Sequence, residues 1–184
     1  MSKIEVEFKD SLKRINFSFR NKKIETECIK DHDGFTILGK NFGPFEKGKK
    51  YNMTFFTTIP FIEENVLKIS HGEKCDNVDV QRQAIAERDD PRLIRQDMAL
   101  YLNKIKEFKH FLYNEIKKGT KPSVDLDRYN SYLINILDNR LLKLLKLTKT
   151  QISVDNEHRL TTSETELFKK MYKLVNTWKK FYTL

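Results

Sequence analysis

Near the amino terminus Ile4, Val6 and Phe8 alternate with Lys3, Glu5 and Glu7, a period of two that sets one face of a strand on a core. Ile15, Phe17 and Phe19 repeat that alternation, and Ile24, Thr26 and Cys28 do so more weakly. With Arg20-Asn21-Lys22 as a polar turn between them, these segments predict a meander of antiparallel strands. From Gly34 to Met53 the pattern changes, because Gly34, Gly39, Gly43 and Gly48 and Pro44 punctuate it. Glycine supplies backbone angles that other residues resist and proline fixes its own φ, so this stretch predicts tight turns between very short strands. Thr54 to Glu64 reads as a short apolar helix with Pro60 at a break or first turn, and Val66, Leu67 and Ile69 as a closing strand.

The residues from Ser70 to Val80 are polar and read as a tether. Beyond them the period becomes helical. Asp90 as N-cap and Pro91 as first helical residue predict a start, after which Leu93, Met98, Tyr101, Leu102, Ile105, Phe108, Leu112 and Ile116 keep helical spacing to a stop at Gly119. Tyr129, Tyr132, Leu133, Ile136, Leu137, Leu141, Leu144 and Leu145 carry a second long helix. In the last one Thr161-x-x-Glu164 has the form of a capping box, and Leu167, Met171, Leu174, Trp178 and Phe181 form the expected buried stripe. The fold class expected is α+β: a small β-rich domain over residues 1–70, a linker over 71–80 and an α-helical domain over 81–184.

Composition narrows the function classes. Lys and Arg number 35 against 26 Asp and Glu, a formal net charge of +9, which suits nucleic acid or an acidic protein as partner. No apolar run approaches the roughly 20 residues that span a bilayer, and MSKIEVEFKD lacks the charged-then-apolar layout of a signal peptide. Membrane contact is therefore not expected, and two cysteines make no disulfide framework. A reducing, cytoplasmic setting is the simplest expectation.

Candidate chemistry is sparse. Cys28 stands four positions before His32 and His71 four before Cys75, ligand types that bind zinc tetrahedrally, but unrelated core and surface residues account for the two pairs better. The glycines lack both GxxxxGK[ST] and GxGxxG spacing, so turn chemistry explains them. Asp89-Asp90 is better explained as a helix-start signal than as a metal site. His110 and His158 have no evident partners, and no Ser-His-Asp or Cys-His arrangement can be drawn. No catalytic residue, no metal site and no cofactor are expected. Arg140, Lys143, Lys146 and Lys149 cluster at the end of one helix and Lys169, Lys170, Lys173, Lys179 and Lys180 along the last. These lysines leave open a second reading, an independent basic nucleic-acid-binding module.

Two segments together resemble the GINS family of DNA replication proteins. LGKNFGPFEKGKKYNMTFFTTIPFIEENVLKI, residues 38–69, is similar to the family's small β domain, where Gly-Pro-Phe and Lys-Gly precede a short helix and a strand. YLINILDNRLLKLLKL and LTTSETELFKKMYKLVNTWKKF are similar to its helical domain, with Arg140 and Lys143 in one helix and Leu160, Thr161 and Glu164 at the start of the next. Met53-Thr54-Phe55-Phe56 departs from the proline and tryptophan often found there. The β domain coming first resembles the archaeal subunit that corresponds to the second and third Psf proteins. The resemblance implies a non-catalytic scaffold in a tetramer with a second GINS subunit type, often two copies of each. It also implies association with the replicative MCM helicase and a RecJ-like protein at the nucleoid and replisome, with at most a weak DNA contact. Subunit contacts would fall on Tyr129, Leu133, Arg140, Lys143, Leu167, Met171, Leu174 and Trp178. Partner docking would fall on Phe42, Pro44, Phe45 and Lys47 of the β module.

Overall fold

The computed structural model describes residues 2–37 and 39–183; Leu38, which opens the first GINS-like segment, lies outside them. The chain divides into a helical unit, residues 1–16 and 75–184, and a β unit, residues 17–74. Its order is β-containing and then helical, an α+β fold.

The amino terminus corrects the strand expectation at Ile4, Val6 and Phe8. It is helix α1 (Lys3–Arg20). The three-residue alternation is local, whereas Phe8, Leu12, Ile15 and Phe19 repeat at intervals of four, three and four, and Ile15 and Phe19 are buried. Ser2 and Glu5 close a capping box: the Ser2 N–H donates to Glu5 Oε2 at 2.7 Å and the Glu5 N–H to Ser2 Oγ at 3.3 Å. Phe17, which the alternation would bury, is exposed.

In the β unit, β1 (Lys23–Cys28) is the central strand, between β4 (Lys50–Thr54) and β5 (Leu67–Ile69), all antiparallel. Thr26 faces Tyr51 on one side and Ile69 on the other. A separate hairpin pairs β2 (Phe35–Ile37) with β3 (Lys40–Phe42), Phe35 opposite Phe42. Helix α2 (Phe55–Glu63) follows β4 as expected, but Pro60 lies inside it rather than at a break or first turn, and it contributes Phe61 to a core with Cys28, Phe45, Val66 and Leu67. Gly34 and Gly43 meet backbone to backbone. A Cβ on Gly43, whose φ is +108°, would stand 2.6 Å from the Gly34 Cα, so both positions require glycine.

The helical unit adds α3 (Asn77–Asp89), α4 (Tyr101–Lys117), α5 (Val124–Leu147), α6 (Val154–Glu157) and α7 (Thr162–Thr183). Helix α3 begins inside the polar segment read as a tether, on a reciprocal box between Asp76 and Asp79. The expected helix start at Asp90-Pro91 is corrected, since residues 90–100 are irregular and α4 begins ten positions later. Asp90 Oδ1 accepts from the Arg92 N–H at 2.7 Å, and the next backbone groups are engaged by side chains. The Ile94 N–H donates to Glu87, and the Leu93 and Ile94 carbonyls accept from Arg159 and Arg140. Tertiary partners have displaced the helical ladder.

Candidate subunit interface and the charge cluster behind it

Helix α5 buries Tyr129, Ile136, Arg140, Lys143 and Leu144. Tyr129 fixes its amino-terminal half, donating from Oη to the Ile105 carbonyl of α4 at 2.8 Å. The Cys75 thiol lies 3.8 Å from the same hydroxyl, and burial pushes that thiol up to about 11. Further along, Arg140 and Lys143, three residues apart, point the same way.

Arg140 donates from Nε to Glu164 Oε1 at 2.5 Å and from a terminal nitrogen to Glu164 Oε2 at 2.7 Å, a bidentate pair. That same terminal nitrogen donates to the Arg159 carbonyl at 3.0 Å, and the other one bonds Glu87 and donates to the Ile94 carbonyl at 3.0 Å. Lys143 Nζ reaches Glu87 Oε2 at 2.7 Å and the Glu87 carbonyl at 2.5 Å. Glu164 Oε2 also accepts from the Thr161 N–H and hydroxyl at 2.8 Å, so the carboxylate half of the expected capping box is present. Burial acts to lower the affinity of the guanidinium for its proton, but Glu164 and Glu87 outweigh it and hold Arg140 above its ordinary value. Two cations meet two carboxylates, each nine-tenths or more buried. The cluster pins α3, α5, the first turn of α7 and residues 90–100 together.

Turned away from the cluster on α5, Ile134, Leu141, Leu142 and Leu145 are exposed, and so is Leu137 at the margin of the buried face, from 39% to 59%. At 100° per residue Ile134, Leu141 and Leu145 fall within a narrow sector. Helix α5 is therefore apolar on two faces, and a helix of that kind belongs in an interior. On α7, Phe168 is buried beside Leu93, Leu144 and Leu160, with Leu167 and Met171 partly buried against them. Leu174, Trp178 and Phe181, further along, correct the expectation of a stripe buried to its end, since all three are exposed once α7 runs past the core residues around Phe168.

The residues expected at a subunit interface thus separate. Tyr129, Arg140 and Lys143 lie in the chain's own interior, Leu133, Leu167 and Met171 are half-buried, and Leu174 and Trp178 face solvent. In the β unit Phe45 is buried against Phe61 and Tyr51. Phe42 is half-buried, Pro44 and Lys47 are exposed, and the Lys47 N–H is held by Asp31 at 2.6 Å. Glu87 was missed, because it sits in a polar helix with no pattern to mark it. The outer α5 residues had a signal in the run LLKLLKL, where leucine recurs on every side.

Among the described residues no three His, Cys, Asp or Glu side chains converge as metal ligands. Cys28 Sγ donates to the Lys30 carbonyl at 3.1 Å, and His32 Nδ1 accepts from the Gly34 N–H at 2.8 Å. No helix is long and apolar enough to cross a membrane, among the described residues.

These features define a class, a helical-bundle chain with an accessory β module and an outer helix face built for covering. Residues 100–182, from the start of α4 almost to the end of α7, match the family model of the GINS complex protein helical bundle domain, Sld5. That match supports a subunit of the GINS family, hetero-oligomeric and tied to DNA replication, and it does not favour an independent nucleic-acid-binding module. No curated protein matches the chain.

Proposed function

We propose that the chain is a non-catalytic subunit of the GINS DNA replication complex, of the archaeal type in which the β module precedes the helices. In this reading it assembles with a second GINS subunit type, two copies of each. The assembly scaffolds and activates the MCM helicase beside a RecJ-like protein, in the cytoplasm at the nucleoid. Exposed Pro44 and Lys47, with half-buried Phe42, offer the β module's docking edge.

The observation that carries the reading is the second apolar face of α5, inside the stretch that matches the GINS helical bundle. Fully burying one Leu or Ile is worth about 2 kcal/mol, so five side chains already half covered offer about 5 kcal/mol. Association costs at least that much. The α5 face is then the centre of an interface rather than the whole of one.

Co-expression with the cognate second subunit, followed by native mass measurement, should give a hetero-oligomer that speeds MCM unwinding. Leu141→Glu with Leu145→Glu should leave a folded chain that no longer assembles. A wild-type chain that stays monomeric beside its cognate subunit and leaves unwinding unchanged would refute the proposal.

A further inference from the structure

Leu167, Met171, Leu174, Trp178 and Phe181 recur at intervals of four, three, four and three, the spacing of a seam between two helices. The first two pack on the chain's own core. Past them the same seam runs on uncovered. Leu174, Trp178 and Phe181 are 58%, 63% and 77% exposed, and Tyr182 beside them 71%. At 100° per residue Leu174, Val175, Trp178, Phe181 and Tyr182 fill one sector about 120° wide, with Trp178 at its centre. Charge stays outside that sector. Lys169, Lys173 and Lys180 point to the far side of the helix. Lys170 and Lys179 stand at the margins and are already engaged, Lys170 over the Phe8 ring at 5.9 Å and Lys179 donating to the Lys149 carbonyl at 2.9 Å. Trp178 and Phe181 each meet Tyr182 edge-on, at 5.6 and 5.1 Å, so the rings form one surface before any partner arrives.

We infer that this surface docks a second copy of the chain, the two α7 ends crossing antiparallel about a two-fold axis at Trp178. Leu174 and Tyr182 lie four positions to either side of Trp178, and Val175 and Phe181 lie three. An antiparallel pair therefore sets each Leu174 against Tyr182 of the second copy and each Val175 against its Phe181, with the two indoles at the axis. Small faces large at each step, the condition for interdigitation across a self-complementary patch. The charge pattern agrees. A chain of net charge +9 is repelled by its copy unless its cations face outward, and in this pair Lys169, Lys173 and Lys180 do so on both chains. The area is sufficient. Each aromatic side chain carries about 150–250 Å² and is about 70% uncovered here. With Leu174 the stripe offers roughly 500 Å² per chain and the pair about 1,000 Å², the least that a specific interface needs. In the assembly proposed above this contact joins the two copies of the chain. That role rests on the proposed function; the pairing itself does not.

Trp178 is the only tryptophan of the chain, so its emission reports this surface directly. The full chain, without any other subunit, is followed by sedimentation equilibrium from micromolar to submillimolar concentration. It should pass from monomer to dimer, with Trp178 emission moving to the blue over the same range. Leu174→Glu with Phe181→Glu keeps the tryptophan and should weaken the dimer more than about tenfold, while far-ultraviolet circular dichroism stays unchanged. Lys173→Gln with Lys180→Gln should not weaken it, and neither should Leu141→Glu with Leu145→Glu on the α5 face. A chain that stays monomeric over the whole range, a dimer that survives Leu174→Glu with Phe181→Glu, or one that the α5 changes abolish would overturn the inference. So would burial of Trp178 in a complex whose mass is one chain and one cognate subunit, since another protein would then occupy the stripe. Whether the cognate subunit binds at all is read separately, from the mass of the co-expressed complex.

Discussion

Arg140→Met removes the centre of the buried charge cluster and leaves the methionine stem in its place. Five hydrogen bonds disappear: two to Glu164, one to Glu87 and two to the carbonyls of Ile94 and Arg159. The two carboxylates are not affected alike. Glu87 keeps Lys143 at 2.7 Å and the amide of Gln96 at 3.2 Å. Among the described residues Glu164 keeps only the Thr161 donors and loses its cationic partner Arg140 in a site 4% exposed. Breaking a buried pair by removing one partner costs about 3–5 kcal/mol, because the remaining charge has no compensation. Arg140→Met belongs near the upper end, since it strips two carboxylates and two carbonyls at once. Lys143→Met, which leaves Glu87 still bound to Arg140, should cost less. The assay is urea unfolding followed by the helical circular dichroism signal. With a slope of about 2 kcal/mol per molar, the Arg140→Met midpoint should fall by about 1.5–2.5 M, and Glu164→Gln should fall less. A loss within about 1 kcal/mol, the level of an exposed ion pair, would refute the claim that these charges are desolvated.

Three further outcomes test other parts of the structure. The Cys75 thiol, raised by burial from 9.0 to about 11, holds its proton more tightly folded than unfolded. Stability from this group is therefore complete below pH 9 and lost as pH rises through about 11, where buried Tyr129 and half-buried Tyr101, also raised by desolvation, add to the same trend; urea midpoints at pH 8 and pH 10.5 should differ in that direction. Gly43→Ala forces a Cβ against the Gly34 backbone at positive φ and should destabilise the β unit by about 2 kcal/mol or more, seen as loss of near-ultraviolet aromatic signal with the helical signal retained. Thr161→Ala removes the hydroxyl that Glu164 accepts at 2.8 Å and should cost about 1–2 kcal/mol by thermal unfolding.

Much of the architecture was legible because it follows local rules. The stop at Gly119, where the Gly119 N–H donates to the Ile116 carbonyl, and the last two long helices follow from period and caps. So do β1, β5 and the glycine turns. The amino-terminal helix was not read, because three alternating residues outweighed a stripe that needed eleven positions to declare itself, and Ser2-x-x-Glu5 went unused. Residues 90–100 could not be read from local signals. Asp90-Pro91 has every mark of a helix start, yet the backbone there is claimed by Arg140, Arg159 and Glu87, two of them more than forty positions away. At the site, Arg140 and Lys143 were picked out as paired residues. That they face inward depends on Glu87, an acid on another helix with no pattern of its own.

The cluster bears on function through rotation more than through stability. A helix with leucines on opposite sides can roll by about half a turn and bury a similar apolar area, so hydrophobicity alone does not decide which face of α5 meets the bundle. Rolling would carry Arg140 and Lys143 into water and leave Glu87 and Glu164 inside without a cation, a penalty of about 3–5 kcal/mol for each stranded charge. The buried charges thus select the arrangement that presents Ile134, Leu141 and Leu145 to a partner. Cysteines placed one at a time at Ile136 and Leu145 make this measurable by thiol labelling with mass mapping, which separates them from Cys28 and Cys75. In the native background position 145 should label fast and position 136 slowly. Adding Arg140→Met with Lys143→Met, which leaves no cation to select a face, should slow labelling at 145 while speeding it at 136. Local unfolding would speed 136 without protecting 145, so protection gained at 145 is the signature of a rolled helix. If the double change lowers stability yet leaves both labelling rates in their native order, the cluster holds α5 in place without choosing its outward face.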